Sequence, residues 1–600
     1  IRVENGTATL IRATQSESIV IPSTINGFTV TRIAPQTFLD RREITRLVLP
    51  NTLVEIGSDA FAGCTGIREV VLPPGLAILG ERAFARCSAL KQVTLPASLA
   101  TIPREAFAEC PEIVEIRIPD AVVEIGPRAF RNCLRLERID LPPFLIELGD
   151  ECLAGCVGLT ELTLPDGLER LGRGALMNCT RLERLVLPRS LAVLEENVLA
   201  GCSSLPELIL PEALQRIDSR ALAECSSLAN LELPFGLQAL GNESLAGTAL
   251  ASLWIPESVV TVGERVLSNT ARLESVTVDP SNTAFYSLDG VLLKRNPARV
   301  LHYPARKSGS FTLPDGILVV ETGVFTGRQG LTDIRFPRSI TQIAPRAFEG
   351  CSLVNLTLPE GVVSIGARAF ADNRQCRSIT LPTSLVVLGP GAFAGCDLLS
   401  QVELPPRLNV LAAETFKDCR SLVEVYLPPG IRTIANDAFR NCASLTTVQL
   451  PQTVEELGTE LFAGAAALRS VRFTGPPPQV TGSLGMPANA VIVVLPIYPG
   501  WGDTFQGLPT QAWLPSLRVG PAAEGGVSLA MTIDWAEGQA VVLEASDSLG
   551  SPEWTPLSTH RLPRQPLDLA IPIGNTPIWR FFRVSPATSS TESTARQAPR

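Results

Sequence analysis

A proline preceded by Leu or Ile returns every 23 residues, at Pro50, Pro73, Pro96, Pro119, Pro142, Pro165, Pro188, Pro211 and Pro234, each time closing a short apolar run. A unit of that length cannot bury its apolar side alone. A period held over so many copies therefore means identical supersecondary units stacked on one another. The pattern resumes at Pro314, Pro337, Pro359, Pro382, Pro405, Pro428 and Pro451, so the array has two halves about an interruption.

Two periods coexist inside one unit, Leu90-x-x-Val93-x-Leu95-Pro96-x-x-Leu99-x-x-Ile102-x-x-x-Ala106-Phe107-x-x-Cys110. Val93 and Leu95 are two apart and share one side of an extended segment, whereas Ala106, Phe107, Cys110 and Ile113 follow a helical or 3₁₀ spacing. Pro96 lacks an N–H and would break a central ladder, so it ends the strand. The reading is an α/β repeat solenoid: parallel short strands on a concave face, joined by short helical returns.

Composition excludes several classes. The net charge of -9 argues against a nucleic-acid partner, which calls for a basic face. No apolar run approaches the ~18 residues of a membrane span. The chain opens at Ile1 without Met or a leader-like segment, which is the expectation for a trimmed or mature form.

The consensus Ala-Phe-x-x-Cys-x-x-Leu-x-x-Val-x-Leu-Pro, as in Ala83 to Pro96 and Ala438 to Pro451, resembles the BspA-like leucine-rich repeat family over roughly residues 20–475. Leu153, Leu176, Leu199, Leu222 and Leu245 replace the Phe through the middle. The resemblance implies a leucine-rich-repeat solenoid, secreted or on a bacterial cell surface, used in adhesion or recognition of proteins. It implies no catalysis.

Cys64, Cys87, Cys110, Cys133, Cys156, Cys179, Cys202 and Cys225 hold one repeat position, and Cys351, Cys396, Cys419 and Cys442 hold it in the second half. Such a column is expected to be buried and reduced, its thiols packing as small hydrophobes. No Cys-x-x-Cys pair occurs and the two His lie far apart, so neither a metal nor another cofactor is expected.

Two residues before each Pro, side chains are expected on the concave wall: Val71, Thr94, Arg117, Asp140, Thr163, Val186, Ile209, Glu232 and Trp254, then Arg335, Thr357, Thr380, Glu403 and Tyr426. Four before each Pro, Glu115, Arg138, Glu161, Arg184 and Glu207 alternate in sign, which predicts a salt-bridge ladder across stacked strands. Val186, Ile209 and Trp254 would form an exposed apolar patch with a Trp anchor, the composition of an interaction hot spot. Trp254 also sits where the spacing falls to 22 residues, and covering that seam is the alternative role.

The interruption, residues 281–311, carries Asp289-Gly290 between apolar runs, a strong hairpin signal. It is locally basic, with Lys294, Arg295, Arg299, Arg306 and Lys307, and holds Tyr286 and Tyr303, so it is a second candidate site, for an anionic ligand. The segments expected are a first repeat array at 1–279, a β-hairpin insertion at 280–311, a second array at 312–475, a cap at 476–515, a small β-sandwich at 516–586 and a disordered tail at 587–600. The β domain resembles modules that follow such repeats in secreted bacterial proteins.

The ligand-binding candidates are thus Val186, Ile209, Glu232, Trp254, Tyr426, Tyr286, Arg295, Arg299 and Tyr303, for a protein or glycan on the concave face. The function expected is a noncatalytic binding scaffold. A self-assembling surface component is the alternative. A hydrolase is disfavoured because the wall acids Asp140 and Glu232 are four units apart, roughly 19 Å at strand spacing, too far for a glycosidase pair.

Overall fold

The computed structural model describes residues 1–4, 6–11, 16–495, 498–514, 516–521, 527–533, 540–546, 554–562, 567–573 and 581–586. The chain divides into two compact units, Ile1–Lys307 and Ser308–Arg600. Both are built from β-coils, and each stands on its own core.

In the first unit neighbouring coils are joined by parallel hydrogen bonds on three sides, and the short strands of the first side pair two by two. Strand Gln92–Thr94 pairs in parallel with Glu69–Val71, Val93 opposite Val70. After the turn at Pro96 a two-residue strand, Thr101–Ile102, pairs with Glu124–Ile125 of the next coil. The third ladder runs through the segment expected to be helical. There the N–H groups of Glu105, Phe107 and Glu109 donate to Pro127, Ala129 and Arg131 of the following coil, at 2.9, 2.9 and 2.7 Å. The N–H groups between them, of Ala106 and Ala108, turn back three residues to Pro103 and Glu105.

This corrects the expected helical return, and no helix occurs among the described residues. A helix would send every one of these donors back along its own turn. Here alternate donors leave for the neighbouring coil, which requires left-handed residues at two points four apart, such as Glu105 (φ 55°) and Glu109 (φ 58°), or Asn132 (φ 59°) one coil later. The three-residue back-bonds that remain produce the helix-like spacing of Ala106, Phe107 and Cys110. The class is therefore an all-β solenoid rather than α/β.

Side chains of equivalent positions stack into columns. Phe38, Phe61, Phe84, Phe107 and Phe130 lie 4.9 to 5.7 Å apart between centroids with planes within 7°. Leu153, Leu176, Leu199, Leu222 and Leu245 continue the column, all fully buried. All fourteen cysteines are buried and free. Each thiol of the column donates to the carbonyl of the aromatic or leucine 26 residues earlier: Cys64 to Phe38 at 3.1 Å, Cys110 to Phe84 at 3.1 Å, Cys179 to Leu153 at 3.3 Å. Burial pushes Cys64, Cys133, Cys179 and Cys225 up to about 12. These thiols are protonated donors, as their geometry requires.

The insertion closes the first unit as a three-stranded antiparallel sheet, Phe285–Leu288, Val291–Lys294 and Arg299–His302. Asp289 (φ 49°) and Gly290 (φ 79°) make a two-residue turn in which both residues are left-handed. The sheet pads the core rather than projecting from it: Phe285 and Leu292 join the same apolar cluster as the coils, and Val276 N–H donates to Gly290 at 2.8 Å. Asn282 fixes the junction. Its buried amide donates to Pro256 and Val259, both at 2.9 Å, and accepts from the N–H groups of Ala284 and Phe285.

The second unit repeats the coil, with stacked Phe325, Phe348, Phe370, Phe393, Phe416, Phe439 and Phe462. Asn373 takes one place in its thiol column, and its amide donates to Phe348 O at 2.8 Å. Past the repeats the parallel ladder gains two more rungs, Val491–Val494 and Leu508–Ala512, beside a cluster of Phe473, Trp501 and Phe505. Two three-stranded antiparallel sheets follow. Val527–Ile533 is central in one and Ala540–Ser546 in the other. Met531, Ile533, Val541, Leu543 and Leu562 share a core with Leu495 and Trp513. The tail expected at 587–600 lies outside the described residues.

Candidate binding face

Alternation along each three-residue strand decides which side chains reach solvent. In Arg184–Val186 the central Leu185 is buried and Val186 is 43% exposed. One coil on, Leu208 and Leu210 are buried while Ile209, between them, is 81% exposed. Glu232 is exposed on the next coil, and Trp254, 36% exposed, follows on strand Ser252–Ile255. The second ladder shows that these coils are consecutive: Val193–Leu194 pairs with Arg216–Ile217, that strand with Ala239–Leu240, and that one with Thr261–Val262. The structure thus brings Val186, Ile209, Glu232 and Trp254 together on four consecutive coils.

Sequence reading missed one member of this patch. Phe235 is 72% exposed and meets Trp254 edge to face, centroids 5.4 Å apart at 67°. It lies in the turn after Pro234, at a position that is Asp166, Arg189, Glu212 and Glu257 in other coils. It is the one aromatic in a column that is otherwise charged, polar, Ala or Pro, and that was the available signal.

Toward the amino terminus the wall turns polar. A groove of about 810 Å³ is lined by residues including Thr94, Glu115, Arg117, Arg138 and Asp140. Glu115 lies opposite Arg138 and Glu161 opposite Arg184, so the alternating charges are in register. The close contact of Arg138, however, is to Asp140 on its own strand, at 2.9 Å. That carboxylate raises the Arg138 guanidinium further above its ordinary value.

The insertion's candidates do not form one site. Arg295 stacks over the half-buried Tyr286 ring at 5.0 Å and donates to Asn282 O at 3.3 Å. Burial raises the Tyr286 hydroxyl. Arg299 is half-buried. Tyr303 is fully buried and presents no surface to a ligand. Tyr426, half-buried opposite Glu403, belongs to the other unit.

Chemistry beyond binding finds little here. No group of three or more His, Cys, Asp or Glu suited to a metal ion occurs among the described residues. No helix of the described residues is long and apolar enough to cross a membrane.

Comparison with known proteins follows this geometry. The model of the family described as BspA type leucine rich repeat region (6 copies) matches residues 31–160, 100–205, 181–287, 303–411 and 363–480. No curated protein matches the chain. Among solved structures, a leucine-rich repeat protein from Bacteroides ovatus is 27% identical, with 68% of this chain and 92% of that one covered and a TM-score of 0.45. A leucine rich cell surface protein from Faecalibacterium prausnitzii is 20% identical, covering 79% and 92%, with a TM-score of 0.25. The pneumococcal vaccine antigen PcpA is 16% identical, covering 72% and 84%, with a TM-score of 0.34.

Proposed function

The chain belongs to the BspA type leucine rich repeat family, and from that premise we propose that it is a noncatalytic scaffold, secreted or held at a bacterial cell surface, that binds a protein through the exposed face of its strand ladder. One observation carries the reading. Ile209, Phe235 and Trp254 stand in solvent on adjoining coils although the fold has interior positions for such residues in every coil. Exposed Ile and aromatic side chains gathered in one place mark interaction surfaces, since leaving each in water forgoes about 1.5–3 kcal/mol of burial. The backbone beneath is held from coil to coil by the ladders on the other two sides, so a partner would meet a largely ordered surface.

The experiment is surface plasmon resonance of the full chain against a panel of purified extracellular proteins and glycans, repeated with Ile209→Asp. This residue is 81% exposed, so the substitution leaves the core alone. Binding of a panel protein that falls about tenfold or more in the variant supports the wall. A ligand that binds both forms equally places recognition elsewhere.

A further inference from the structure

We infer that the patch over Ile209, Phe235 and Trp254 is built for a basic, amphipathic protein segment, one in which Lys or Arg flanks a bulky apolar residue. The inference rests on the strand wall being the recognition face, and it adds the chemistry of the partner.

The argument is charge placement. Glu232 stands between Ile209 and Trp254 in the strand column, while Glu212 and Glu257 flank Phe235 in the turn column. Carboxylates thus alternate with apolar side chains in both columns over the three coils of Ile209, Glu232 and Trp254, spaced about 5 Å apart, while the coil before them carries Val186 and Arg189. All three carboxylates are exposed, and none has an ion pair among the described residues. Some acids on the turn segments of the same unit are neutralised within the protein, Asp59 by Arg82 at 2.7 Å, Glu151 by Arg128 at 2.8 Å and Glu243 by Arg220 at 2.6 Å, whereas these three are not. Acid left unpaired beside exposed aromatic faces favours cations twice, through the carboxylates and through the rings. An acidic or phosphorylated segment would meet repulsion at the same place.

The test uses the full chain and two capped synthetic peptides, Lys-Lys-Leu-Trp-Lys-Lys and Glu-Glu-Leu-Trp-Glu-Glu, with a Ser-flanked version as the neutral probe. Binding is read by surface plasmon resonance at about 50 mM and about 500 mM salt, where screening lengths differ roughly threefold. The basic peptide is expected to bind about tenfold or more tighter than the acidic one at low salt, and to lose that preference at high salt. Glu232→Lys should abolish the preference, and Phe235→Ala should weaken the basic peptide about tenfold. Ser88→Lys, an exposed turn residue outside the wall columns, should change neither, and circular dichroism should show all variants folded. If the neutral or acidic probe binds best, and still depends on Phe235, the partner chemistry is refuted while the wall survives as the binding face. If no probe responds to Phe235→Ala, both this inference and the wall reading fall.

Discussion

Raising the pH from 8 to 10 should destabilise the first unit steeply, because its core is lined with protonated thiols. Burial raises Cys64, Cys133, Cys179 and Cys225 to about 12, and raises Cys110, Cys152, Cys156 and Cys202 as well, from an ordinary value near 9. Below pH 9 folded and unfolded chains hold these protons equally, and the thiols make stability independent of pH. Between pH 9 and 12 the unfolded chain releases protons that the folded one keeps, so unfolding is favoured as pH rises. At pH 10 each thiol costs about 1 kcal/mol, and the eight together on the order of 10 kcal/mol, comparable to the whole stability of a typical domain. Few other groups compete, since the chain has four Tyr, and Lys only at 91, 294, 307 and 417. The assay is the urea midpoint by far-ultraviolet circular dichroism, under reducing conditions, at half-unit steps from pH 8 to 10.5. Cys133→Ala should make the decline shallower by one thiol's share. A midpoint flat to pH 10.5 would refute the reasoning, since it would mean that the thiols ionise in the folded chain or are already oxidised.

Phe107→Ala removes a ring stacked on both sides and should cost about 3–5 kcal/mol; hydrogen exchange should quicken in the coils of Phe84 and Phe130 as well, and a lesion confined to one coil would contradict the stacked-interface account. Asn282→Ala strands two carbonyls and two N–H groups at the junction, so a loss of about 2–4 kcal/mol in thermal unfolding is expected, and a loss under about 0.5 kcal/mol would show the insertion to be held otherwise. Gly155 has φ 74° and a Cβ there would lie 2.3 Å from Asn132 Oδ1, so Gly155→Ala should cost about 1–2 kcal/mol. Asn132→Gly should recover part of that loss in a double-mutant cycle, and strict additivity would rule out the contact.

The coil was legible because its apolar positions recur at fixed intervals, and Pro96 and its equivalents state where each strand ends. The thiol column was legible for the same reason, as one position filled the same way a dozen times. The turn segment misled because Ala106, Phe107 and Cys110 have the spacing of a helix, and that spacing reports three-residue back-bonds whichever way the intervening N–H groups point. Glu105 and Glu109 gave no warning, since neither favours a left-handed backbone. The only hint lay in other coils, where Gly155 and Gly201 hold the position of Asn132 and Asn178. On the candidate face, the exposure of Val186, Ile209 and Trp254 followed from alternation within the strand. Phe235 did not, because a turn residue has no period to place it, and Tyr303, expected at the surface, is fully buried.

The three parallel ladders also separate heritage from specificity. Most coils meet their neighbours through equivalent backbone registers, so a whole coil can be duplicated or lost with little change to the rest, whereas a single added residue must be absorbed within one turn. The solvent-facing column positions touch none of those ladders through their side chains. A lineage of such chains can therefore redraw its recognition surface tile by tile, or lengthen it by whole tiles, while the frame beneath stays unchanged.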